Sequence, residues 1–159
     1  MKQNKTLKAA HTAAIETAGK ALLEKMETEW KKCKEAEQAE MYKEAHEHEQ
    51  MFYEFLTQLQ KFPYVGLCCT VHYHSDHRAG QIVEVRGNRF KVQALKYTMR
   101  RGTNFFDNQY DVSDELDEQN LGWYSYRKCG KCYQVGSEAK YGNVSCTLGI
   151  KHTEIDPNF

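Results

Sequence analysis

The chain has 159 residues, 22 Lys and Arg against 22 Asp and Glu, and 40% hydrophobic residues. This length holds one domain, or a domain with an extension. The neutral balance argues against a dedicated non-specific nucleic-acid coat, which carries a clear basic excess, and no apolar run reaches membrane-spanning length.

The first region runs to Phe62. Lys2, Lys5 and Lys8 lead into an Ala/Glu/Lys-rich stretch with no apolar core of a secretory signal. A soluble cytosolic protein is therefore expected, with its six cysteines (Cys33, Cys68, Cys69, Cys129, Cys132, Cys146) as free thiols or metal ligands. Between Lys5 and Phe62 there is no proline, and Gly19 is the only glycine. An apolar stripe runs Ile15, Ala18, Leu22, Met26, Trp30, Cys33, then Met41, Ala45, His48, Phe52, Phe55, Leu59. Its steps are mostly three and four, as one face of a helix requires. Glu16–Lys20 and Glu27–Lys31, four apart, support the exposed face. A single helix of fifty-odd residues would span roughly 80 Å at about 1.5 Å per residue. Such a helix must meet a partner helix, fold back on itself, or project. The stripe is weakest from Lys34 to Gln50, so a break is expected there or at Gly19. His46 and His48 read as surface polarity, and Trp30 as packing.

Pro63 ends the helix, because the residue before a proline is pushed out of the helical region. Val65–Tyr73 reads as a strand, and Gly80–Val85 alternates with Val83 and Val85 on one face. Arg86-Gly-Asn-Arg89 is a tight turn into a strand, Arg89–Tyr97, where Phe90, Val92 and Ala94 alternate. Trp123–Arg127 and Tyr133–Val135 flank Cys129-Gly-Lys-Cys132 as a further hairpin. Residues 103–122 read as a polar, acidic loop carrying Asp107, Asp111, Asp114, Glu115, Asp117 and Glu118.

Three patterns carry chemistry. His72-Tyr-His74-Ser-Asp76-His77 spells His-x-His-x-Asp-His, a spacing that holds two zinc ions in metallo-β-lactamase-type hydrolases. Those enzymes need a domain about twice this length and further ligands downstream, yet after His77 only His152 remains. Cys129 and Cys132 place two thiolates three apart on a turn, half of a tetrahedral zinc site. Arg78, Arg86, Arg89, Lys91, Lys96, Arg100 and Arg101 cluster in one hairpin with Tyr73, Phe90 and Tyr97 between them, which fits a nucleic-acid face on a small barrel.

The C-terminal half resembles a family of small phage and prophage proteins. The matching residues are His74-Ser-Asp-His-Arg-Ala79, Gln81-Ile-Val-Glu-Val85, Lys91-Val-Gln93, Tyr126-Arg-Lys128, Leu148-Gly149 and Asp156-Pro-Asn-Phe159, so the resemblance covers residues 70–159. The family uses Tyr, Arg and His in the turn where this chain has its metal-like histidines. It builds the Cys129–Cys132 hairpin without cysteines. The resemblance therefore implies that the hydrolase spacing is coincidental, and it implies no enzymatic activity. A phage origin points to small proteins that bind and redirect a host factor, including inhibitors of host defence of the anti-CRISPR kind.

The expected architecture is α+β: a helical segment over 1–62, as a long helix, coiled coil or helical hairpin, then a small SH3-like antiparallel β-barrel over 63–159. The leading expectation is a non-enzymatic phage accessory protein in the cytoplasm of an infected bacterial host. Its carboxylates Asp111, Asp114, Glu115, Asp117 and Glu118 would imitate a phosphate track and occupy a basic groove on a host or defence protein. The alternative is a nucleic-acid-binding module using Arg78, Arg86, Arg89, Lys91, Arg100 and Arg101. The third is a zinc hydrolase. No organic cofactor and no membrane are expected, zinc at Cys129 and Cys132 is the one cofactor suggested, and self-association would run through residues 15–60.

Overall fold

A computed structural model describes residues 2–102, 108–127, 130–136 and 144–155. The fold is α+β, with two helices followed by a six-strand antiparallel sheet. The chain divides into two units, Met1–Pro63 and Tyr64–Phe159. Among the described residues, no helix is long and apolar enough to cross a membrane.

Unit one is a helical hairpin. Helix α1 spans Lys2–Gln38 and α2 spans Tyr42–Leu59. The break falls at 39–41, inside the weak part of the stripe. Its hydrogen bonds are Met41 N–H to Ala36 O (2.9 Å) and Glu40 N–H to Glu37 O (3.1 Å). That pair is the Schellman closure, which needs a left-handed residue at its centre. Glu40 takes that place with φ 57°, where glycine is the usual occupant. Met41 also opens α2 without a side-chain cap and is exposed, so it leaves the apolar stripe that its spacing suggested. Past the turn the helices run antiparallel. Cys33, Ala36 and Ala45 form a buried cluster beside it, small enough to let the two backbones approach. Farther along, the Trp30 and Phe52 rings pack at 5.0 Å, and Lys25 lies over the Phe55 ring. His48 is not surface polarity: its Nδ1 meets the Glu29 carboxylate at 2.6 Å across the hairpin. The central part of the stripe is thus covered by the chain's own second helix.

Unit two comprises β1 (Cys68–His72), β2 (His77–Arg86), β3 (Arg89–Arg100), β4 (Gln109–Arg127), β5 (Lys131–Gln134) and β6 (Ser145–Leu148). Each strand pairs antiparallel with the next, and β6 pairs with β5 on one side and β1 on the other. Gly87, with φ 60°, makes the two-residue turn that sets Arg86 opposite Arg89. The core takes alternate residues: Cys69, Val71, Ile82, Phe90, Val92, Ala94, Tyr124, Cys132, Cys146 and Leu148 are all buried. Phe90 and Tyr124 stack at 6.0 Å, and the Tyr124 hydroxyl donates to Leu121 O at 2.6 Å. In β2 it is Ile82, not Val83, that is buried, because a register irregularity between Ile82 and Glu84 switches the alternation.

The acidic segment is not a loop from 103 to 122: β4 starts at Gln109 and pairs with β3 back to Arg100. Asp107 lies outside the described residues. The segment after β6 is also anchored. Thr70 Oγ1 donates to Ile150 O (2.7 Å) and accepts from His152 N–H (3.0 Å), and His77 and Glu154 exchange both backbone hydrogen bonds (2.7 and 2.9 Å).

Glu40→Gly should stabilise the hairpin by about 1 kcal/mol, the cost of a left-handed non-glycine residue. A rise in the urea midpoint checks it, and an unchanged or lowered midpoint contradicts it. At Gly80 a Cβ would stand 2.5 Å from Val92 Cγ1 and 3.0 Å from Gln93 O. Neither atom is the end of a flexible side chain, so Gly80→Ala should cost about 1–3 kcal/mol, as overpacking does, measured by the same denaturation.

Candidate functional site

Directly opposed residues of an antiparallel pair share a face of the sheet. The register sets Glu84 beside Lys91 and Lys91 beside Trp123. In the next row Arg86 lies beside Arg89, Arg89 beside Ser125, and Ser125 beside Tyr133. Arg127 and Lys131 form the row after that. Their strand neighbours Phe90, Val92, Tyr124 and Cys132 are buried, so these rows face outward. The outer face of β2–β5 therefore carries Arg86, Arg89, Lys91, Arg127 and Lys131, with the rings of Trp123 and Tyr133 among them. Glu84 is its carboxylate, paired to Arg86. Arg86 lies 5.3 Å from the Trp123 ring centroid and Arg127 lies 5.6 Å from that of Tyr133. Among the described residues, Arg89 and Lys91 have no ion-pair partner.

The acidic residues are on β4, and most are already matched. Asp111 meets Arg100 at 2.6 Å, Glu115 meets Lys96 at 3.2 Å, Asp117 meets Arg78 at 3.0 Å, and Asp114 meets Lys151. Glu118 is exposed beside them, with its N–H on the Asp117 carboxylate. Arg78 has a side chain only 11% exposed and stacks 4.3 Å from the Tyr97 ring. It holds the base of the β3–β4 extension and is poorly placed to meet a ligand. Arg100 is spent on Asp111. Arg101 is exposed just past β3. Of the six basic residues singled out by sequence, the geometry brings Arg86, Arg89 and Lys91 together. It adds Arg127, Lys131, Trp123 and Tyr133, which only the β4–β5 register reveals.

The histidine motif is split. His72 and His77 are register partners across the β1–β2 turn, and their Nδ1 atoms meet at 2.9 Å. His74 is exposed and Asp76 half-buried in the turn between them. A third ring, His152, comes from the far end of the chain and lies 5.9 Å from His77, centroid to centroid. Burial first, then His77 and His152, pulls the His72 pKa below its ordinary value. As they stand, no three His, Cys, Asp or Glu side chains among the described residues form a ready-made metal shell.

Of the expected zinc thiolates, Cys129 lies outside the described residues. Cys132 faces the interior opposite Cys146, and burial pushes its thiol up to about 12. Cys146, buried against Cys69, is raised as well. Without a metal these thiols therefore stay protonated near neutral pH, the state that does not attack electrophiles. Alkylation at pH 8 followed by mass spectrometry should leave Cys69, Cys132 and Cys146 unmodified until the protein is denatured. Rapid labelling of native Cys132 would contradict this placement.

No protein-family model, curated protein or solved structure matches the chain.

Proposed function

We propose that the protein is a non-enzymatic binding module: its six strands close as a small SH3-like barrel, and the outer face of β2–β5 binds single-stranded nucleic acid. The pairing of β6 back to β1 supports the closure. The observation that carries the function is the register that gathers Arg86, Arg89, Lys91, Arg127 and Lys131 around Trp123 and Tyr133. Basic side chains track the phosphates, while aromatic faces accept any base. Trp123 and Tyr133 are diagonal neighbours on adjacent strands, roughly 7 Å apart. That spacing lets one strand lay successive bases on the two rings. On binding, Arg86 would leave Glu84 and the Trp123 ring, and Arg127 the Tyr133 ring, to meet the backbone.

The test is fluorescence anisotropy with a labelled mixed-sequence single-stranded oligonucleotide. Replacing Arg89, Lys91 and Arg127 together by Ala should weaken binding and lower the salt slope by about two units, at roughly 0.7 per phosphate contact. Trp123→Ala should cost about 1–3 kcal/mol of affinity, the worth of one stacked base. No binding by the wild type at low salt sinks the proposal.

A second reading rests on the resemblance to phage proteins and on the exposure of the β4 carboxylates. Asp114 and Glu115 have side chains 93% and 75% exposed. Exposed ion pairs contribute only about 0–1 kcal/mol, so a basic groove on a host or defence protein could exchange them. In this reading the protein acts in the cytoplasm of an infected bacterium. Neutralising Asp111, Asp114, Glu115, Asp117 and Glu118 to Asn or Gln separates the two. It strengthens oligonucleotide binding if the β2–β5 face is the contact, and abolishes host-protein capture if the carboxylates are.

A further inference from the structure

Three imidazoles from distant parts of the sequence converge at one edge of the sheet unit. His72 ends β1, His77 begins β2, and His152 follows β6. Their backbones are fixed before any ligand arrives. His72 and His77 are register partners, His77 and Glu154 exchange two backbone hydrogen bonds, and the His152 N–H is held by buried Thr70. His72 and His77 thus sit on hydrogen-bonded strands, which hold a site more firmly than a loop does.

The ring nitrogens are sorted in a way that simple packing does not require. His72 turns Nε2 to the Thr147 hydroxyl (2.9 Å) and Nδ1 toward His77. His152 turns Nε2 to the Glu154 carboxylate (3.3 Å), which leaves its Nδ1 as the remaining donor. A metal-binding histidine characteristically carries one nitrogen on the ion and gives the other N–H to an oxygen, which fixes the tautomer and the ring. Two of these three histidines already have that outer oxygen. His77 presents Nδ1 to the same space.

From these observations we infer that His72, His77 and His152 form a mononuclear site for a divalent transition ion of the zinc type, bound through Nδ1 atoms. The distances lie near those needed. With bonds of about 2.0–2.1 Å and tetrahedral angles, ligating nitrogens stand about 3.3–3.4 Å apart and ring centroids about 5 Å apart. The His72–His77 centroids are 4.9 Å apart and the His77–His152 centroids 5.9 Å. The described residues hold no ready-made shell, and two small movements would complete one. The first pair must open by about half an ångström, and His152 must swing in by about one, relative to that ideal geometry. His77 then carries its proton on Nε2, so the neutral rings bind without net loss of a proton. Imidazole donors suit zinc, copper, nickel and cobalt over magnesium or calcium. The site differs from the sequence's hydrolase motif in using one ion, omitting His74 and Asp76, and recruiting His152.

The test uses the full chain, stripped with chelator and titrated with Zn²⁺ by calorimetry and with Co²⁺ by visible absorption. The inference expects one ion per chain and an intense tetrahedral Co²⁺ band. His72→Gln and His152→Gln should each abolish binding, Thr147→Val should weaken it about ten-fold as loss of an outer-shell partner does, and His74→Gln and Cys132→Ser should leave it unchanged. Long-range imidazole ¹H–¹⁵N spectra of the wild type read ligation without any variant, and Zn²⁺ should shift the Nδ1 signals of the three named rings. The inference is overturned if no ion binds. It is equally overturned if two ions bind and are lost with His74, if binding follows Cys132, or if the three Nδ1 signals do not respond.

Discussion

In an antiparallel sheet each residue's face is fixed by its neighbours, and a slip of one residue would send every side chain to the other side. Burial of Phe90, Val92, Tyr124 and Cys132 pins the register of β3, β4 and β5. The same constraint then leaves Arg89, Lys91, Trp123, Ser125 and Tyr133 on the outside, and gathers charge and aromatic surface that are scattered over more than forty residues of sequence. It also decides which thiols are silent, since Cys132 opposes Cys146 on the inner face. The proposed contact surface is the complement of the core, and neither can change alone.

Charge is organised by the same ladder. β4 holds an acidic run that would be a poor strand on propensity, but each of Asp111, Asp114, Glu115 and Asp117 has a base from elsewhere in the unit. The Arg78–Asp117 pair is the least exposed of them and is backed by Tyr97, so it orders the extension more than a free surface pair would. Local neutralisation along the N-terminal part of β4 and a basic outer face on β2–β5 reconcile a neutral chain with the proposed surface for phosphates. Net charge alone misses that segregation.

The helical region and the first three strands are legible in the sequence because helix formers and the alternation of Phe90, Val92 and Ala94 speak directly to local structure, although α2 already ends at Leu59, four residues before Pro63. The N-terminal part of β4 is not, since ion pairing with partners far away replaces apolar alternation there. The hairpin break is also poorly marked, because Glu40 and not glycine takes the left-handed position. His152 joins His72 and His77 through the backbone bridge of Glu154 to His77 and the bond of its own N–H to Thr70, contacts between residues far apart in the chain. The basic cluster was half visible: Arg86, Arg89 and Lys91 share one hairpin, whereas Arg127, Lys131, Trp123 and Tyr133 enter through pairing.

The register separates the outer face from the core, and cross-strand nuclear Overhauser effects test it most directly. Backbone contacts from Lys91 to Trp123 and from Ser125 to Tyr133 are predicted, with the Trp123 ring accessible to a soluble relaxation agent and the Tyr124 ring shielded. Contacts from Lys91 to Tyr124, with a shielded Trp123 ring, would show a register shifted by one residue and contradict the account.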